Sequence, residues 1–82
     1  MNNHEILKLL EDNLEGCKVS VTSEGNHFYI TAIGDLFDGL GKVKRQQVVY
    51  RCLHNLLSDG TIHAVHMRLF THQEHEQVLL QE

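Results

Sequence analysis

Thr61-Ile62-His63-Ala64-Val65-His66-Met67-Arg68-Leu69-Phe70 combines β-branched and aromatic residues directly after the turn signal Ser58-Asp59-Gly60, and so reads as a final β-strand. Period-two geometry places His63 on the same side as Val65, Met67 and Leu69, and turns His66 to the opposite side. On that reading His66 cannot join His63 without a bulge. An imidazole at the mouth of an apolar strand face must hydrogen-bond locally or offer a nitrogen to something that arrives.

Working outward, the residues before this strand form a helix from about Lys42 to Leu57. Its apolar arc is Val43, Val49, Tyr50, Leu53, Leu56 and Leu57, with Lys44, Arg51 and Asn55 on the other side. Upstream, Gly34 to Gly41 holds three glycines around Asp35-Leu36-Phe37-Asp38, enough for one helical turn that inserts Leu36 and Phe37 into the core. Asp35 and Asp38 are read as caps for that turn and the following helix. Earlier still, Cys17, Val19 and Val21 alternate with Lys18, Ser20 and Thr22. After the turn Ser23-Glu24-Gly25-Asn26, the run His27 to Ile33 points Phe28, Ile30 and Ala32 one way. That is a β-hairpin.

At the N-terminal end, Ile6, Leu10 and Leu14 make one helical stripe with Leu7 beside it, Asn2 or Asn3 as cap, Glu5 in the first turn and Gly16 as the stop. Beyond Phe70, Thr71 can cap an extra C-terminal helix carrying Val78, Leu79 and Leu80. The expected order is α-β-β-α-α-β, an α+β fold with helices on one face of a three-stranded mixed sheet. It occupies one domain over 1–82, with a core of about 5–72 and a polar tail over 73–82.

The 82 residues suffice for one modest core and leave little room for a deep catalytic cleft. Hydrophobic content of 41% and charged content of 22% are those of a folding chain. A net charge of -4 opposes whole-surface attraction to nucleic acid or anionic lipid. Cys17 and Cys52 form no C-x-x-C, and with no secretory leader or membrane span in the sequence they suggest a cytoplasmic protein.

Catalytic signatures are absent: there is no G-x-S-x-G, H-E-x-x-H, P-loop or dinucleotide-binding glycine pattern. Seven histidines direct attention to metals. His4, His54, His72 and His75 suit ordinary surface roles, whereas His27 opens its strand directly after the hairpin turn and could converge with His63. Two histidines leave a tetrahedral metal or an iron-sulfur cluster incompletely ligated, so such a site must borrow ligands from a partner. A separate basic set, Lys42, Lys44, Arg45 and Arg51 behind Gly39 and Gly41, has the composition of a phosphate-contacting helix or of a solvated one.

The run Phe37-Asp38-Gly39-Leu40-Gly41-Lys42-Val43-Lys44-Arg45-Gln46-Gln47-Val48-Val49-Tyr50, with Ile62-His63-Ala64-Val65 and Asn26-His27-Phe28, resembles the signature of the BolA family. Gly34-Asp35-Leu36-Phe37-Asp38-Gly39 and Arg45-Gln46-Gln47 are most similar to its YrbA-like (IbaG) branch, and the resemblance spans about residues 5 to 72. It implies a class II KH-like fold and a non-enzymatic role in iron-sulfur assembly or trafficking, with a monothiol glutaredoxin and glutathione as partners. A 2Fe-2S cluster would be shared across that heterodimer, with His63 as one ligand and the second from the hairpin region, where His27 is the candidate. The resemblance also carries an alternative, transcriptional regulation through DNA bound by Lys42, Lys44, Arg45 and Arg51, and is compatible with a homodimer. This chain departs from the family in its short hairpin loop and in reading Thr71-His72-Gln73-Glu74-His75 where Thr-Pro-x-x-Trp is usual.

Overall fold

Asn2 starts the first helix, α1 (Asn3–Asn13), through a capping box. Its Oδ1 accepts from the Glu5 N–H at 2.9 Å, while the Glu5 carboxylate accepts from the Asn2 N–H at 3.3 Å. The computed structural model describes residues 2–60, 62 and 64–81. After α1 come β1 (Lys18–Glu24), β2 (His27–Ile33), a single 3-10 turn (Asp35–Phe37), α2 (Lys42–Ser58), β3 (Ala64–Phe70) and α3 (His72–Gln81). The expected order holds, and the C-terminal helix is present.

β2 is the central strand of a sheet ordered β1-β2-β3, antiparallel to β1 and parallel to β3. Gly25, at φ 59°, takes the first central position of the two-residue β1–β2 turn, where a backbone conformation costly to other residues is required. Alternation then sorts the sheet into two faces. Val19, Val21, Phe28, Ile30, Ala32, Val65, Met67 and Leu69 pack against the core formed by Ile6, Leu10, Leu14, Phe37, Val49, Leu53 and Ile62. Each fully buried side chain among them contributes about 1.5–3 kcal/mol of transfer free energy.

Three details differ from the sequence reading. The described strand starts at Ala64, with Ile62 buried ahead of it and its N–H donating to the Leu56 carbonyl. The buried stripe of α2 runs through Val49 and Leu53, with Val48, Cys52, Leu56 and Leu57 beside it. Val43 and Tyr50 face out, at 65% and 41% exposure. Those two lie at the margin of the apolar arc, beyond the stripe that the sheet and α1 cover. Neither Asp35 nor Asp38 is an N-cap: Gly34 and Gly41 occupy those positions without a side-chain bond, and Asp38 closes the 3-10 turn as its C-cap, its N–H donating to the Asp35 carbonyl at 2.9 Å.

Gly34 is fixed by space rather than by φ. Its N–H donates to the Phe70 carbonyl at 2.9 Å, closing the end of the β2–β3 pair, and a Cβ there would stand 2.3 Å from Cys17 Sγ. Gly34→Ala therefore lowers stability by about 1–3 kcal/mol through overpacking. Urea unfolding of Gly34→Ala in a Cys17→Gly background should recover much of that loss; equal losses in both backgrounds would refute the contact.

α3 buries no residue. It is held at its first turn instead. Thr71 caps it reciprocally with Glu74, and Arg45 reaches from α2 to form an ion pair with the same carboxylate. The Arg45 guanidinium also donates to the carbonyls of Leu40 at 2.8 Å and Leu69 at 3.2 Å, tying together the loop before α2, the end of β3 and the start of α3. The hydrogen bonds from Arg45, with that from the Thr71 N–H, hold the Glu74 carboxyl at about 2, below its ordinary 4.5. Because the folded-state value is depressed, this contribution is complete above the ordinary carboxylate value and is lost as pH falls from there towards about 2. In Glu74→Gln the α3 amides should exchange faster than in wild type at neutral pH, and the difference should vanish near pH 2. A constant difference across that range would show that the ion pair does not hold the helix.

Candidate functional site

The side of the sheet away from α1 and the core carries the candidate site. Strand alternation sends His27, Tyr29 and Thr31 of β2 to this side, with Ala64, His66 and Arg68 opposite them in β3 and Glu24, Thr22 and Ser20 opposite them in β1. The same alternation that buries Phe28 and Val65 therefore exposes an imidazole at each of two diagonally adjacent positions.

His27 Nδ1 and His66 Nε2 lie 3.0 Å apart. Their ring centroids are 5.3 Å apart with 23° between the planes, a separation that exceeds the N···N distance by the two ring radii. The nitrogens thus meet head-on, in the geometry of a hydrogen bond that carries one proton between two lone pairs. Tyr29, directly opposite His66 in the register, stacks on it with centroids 4.8 Å apart and planes 14° apart. Further along the same row the Arg68 guanidinium lies 5.5 Å over the Phe70 ring, which in turn meets His75 of α3 at 5.9 Å.

The expected ligands fare differently. His63 lies outside the described residues. His27 is exposed, at the first position of β2 and in register with Ala64, the residue that follows His63 in the chain. Its ring engages His66 through Nδ1, which leaves Nε2 directed elsewhere. Among the described residues no group of three or more His, Cys, Asp or Glu side chains gathers to hold a metal ion. His66, assigned no role in the sequence reading, belongs to the site. Its signal was present, since alternation already put His27, Tyr29 and His66 on polar faces. The missing fact was the register that makes those faces one.

The structure divides the basic set. Lys42, Lys44 and Arg51 are exposed on α2, whereas the Arg45 guanidinium is consumed by two carbonyls and Glu74. A groove of about 480 Å³ between the start of α2, β3 and the start of α3 is lined by Lys42, Arg45, Arg68 and Glu74, among others. Both cysteines are half-buried free thiols whose pKa is pushed up chiefly by desolvation, with the Asp35 charge adding to the effect at Cys17. Neither is an activated nucleophile. Among the described residues no helix is long and apolar enough to cross a membrane.

Residues 5–74 match the family described as BolA-like protein. The chain is 42% identical over 74 residues to the acid stress protein IbaG of Escherichia coli (strain K12), covering 90% of this chain and 88% of that one. Its fold is similar to the structure of a BolA protein homologue from Coxiella burnetii, with a TM-score of 0.78 and 27% identity, over 93% of this chain and 97% of the other. It is also similar to the BolA domain of SufE1 from Arabidopsis thaliana, with a TM-score of 0.68 and 29% identity, over 88% and 93% of the two chains.

Lys44→Ala should leave stability within about 0.5 kcal/mol of wild type, the usual range for an exposed surface position, whereas Arg45→Ala should lower the urea midpoint clearly. Equal midpoints for the two variants would refute the division between surface and structural basic residues.

Proposed function

The chain belongs to the BolA-like family, and on that premise we propose that it is a non-enzymatic factor of iron-sulfur assembly or trafficking. It binds a monothiol glutaredoxin and shares a 2Fe-2S cluster with it, His63 and His27 being this chain's ligands. The supporting observation is the exposed His27 imidazole, with one nitrogen uncommitted, in register with the residue that follows His63 in the chain.

The donor set suits that cargo. Neutral imidazole is a good iron ligand, and two imidazoles on one iron, with thiolates on the other, is the ligation of Rieske-type centres. The glutaredoxin thiol and glutathione are the sulfur donors in this reading.

Mixing the apo protein with cluster-loaded monothiol glutaredoxin should change the visible absorption and circular dichroism of the cluster. His63→Ala should remove that change and His27→Ala should reduce or remove it. A His63→Ala complex with the wild-type spectrum and cluster lifetime would overturn the assignment.

A further inference from the structure

The geometry points to His66 as the residue that positions His27, holding its Nδ1 in a hydrogen bond so that Nε2 is the nitrogen offered to iron. This rests on the reading of His27 as a ligand and adds to it the identity of the ligating atom and the residue that selects it.

The two nitrogens are 3.0 Å apart and aimed head-on, so Nδ1 of His27 is closed to any metal while the pair is intact. A ring nitrogen that binds metal must present a lone pair, so with Nε2 bound the remaining proton of neutral His27 sits on Nδ1. His66 Nε2 is then its acceptor, and the proton of His66 sits on its own Nδ1. A metal-bound histidine whose other ring nitrogen donates to a fixed acceptor is oriented and made more basic by that bond. Here the usual carboxylate or carbonyl is replaced by a second imidazole.

His66 can serve as that acceptor because it is itself constrained. The stack on Tyr29, 4.8 Å between centroids and 14° between planes, restricts its ring, and the parallel register sets it diagonally across from His27. The side chains are on the solvent side of the sheet, so removing His66 leaves no buried group unpaired and the fold should survive.

Three measurements test the proposal. In the apo protein, long-range ¹H–¹⁵N correlations of the imidazoles should show a single proton held between His27 Nδ1 and His66 Nε2, and His66→Ala should change the tautomer balance of His27. In the complex with cluster-loaded monothiol glutaredoxin, His66→Ala should shorten the cluster lifetime about ten-fold, the lower range for loss of a group that orients a metal ligand. His66→Gln, which restores a carbonyl acceptor, should recover part of it. In a His27→Ala background, His66→Ala should have no further effect on the lifetime.

The failures are separable. If His27→Ala leaves the cluster spectrum and lifetime unchanged, His27 is not a ligand, and both readings fall. If His27→Ala destroys the cluster while His66→Ala retains the wild-type lifetime and tautomer, the ligand assignment stands and the positioning role is overturned.

Discussion

The parallel ladder between β2 and β3 is the constraint on which the molecule depends. α1 and the β1–β2 hairpin contribute one helix and two strands, but they cannot enclose a core until β3 lies beside β2 and brings the preceding α2 across the sheet. A parallel pair needs a long crossover, supplied here by the 3-10 turn and α2. Its far end is closed by the Gly34–Phe70 hydrogen bond, and the close approach of Cys17 to Gly34 ties that junction to the first strand. One register thus fixes the core on one face and the imidazole row on the other.

Arg45 works at the same end of β3, on the carbonyl of Leu69 beside Phe70. Being permanently charged and flat, it satisfies two carbonyls and a carboxylate at once, which a lysine could not do with the same geometry. It lies in a stretch that resembles a phosphate-binding helix, yet its charge is spent inside the protein. The neighbouring lysines remain solvated. The division shows why a count of basic residues says little about a binding surface until each guanidinium has been followed to its acceptors.

Much of the fold was legible in sequence because local patterns agreed with one another: an asparagine cap with Glu5 in the first turn, a glycine turn at Gly25 and period-two runs in both hairpin strands. Val43 and Tyr50 were misassigned because helical periodicity gives an angle and not the width of the surface that receives it. Asp35 and Asp38 were read as caps from residue type; Asp38 does end the 3-10 turn, but the N-cap positions fell to Gly34 and Gly41. The site was only half legible. His27 was visible as a strand-opening histidine, but its relation to His66 depends on a pairing 39 residues long-range, which alternation alone cannot supply. His63 was singled out by its motif and lies outside the described residues.

The span between His27 and His66 has a further meaning for the life of the chain. The hairpin can form while the C-terminal strand is still absent, but the head-on pair of imidazoles cannot, because one member arrives with the last strand. A slip of β3 by a single residue would turn His66 to the helix side and dissolve the pair. The pair is therefore complete only when the last strand has been made and seated in register, so that this face is a property of the whole paired chain and no truncated or misregistered molecule presents it.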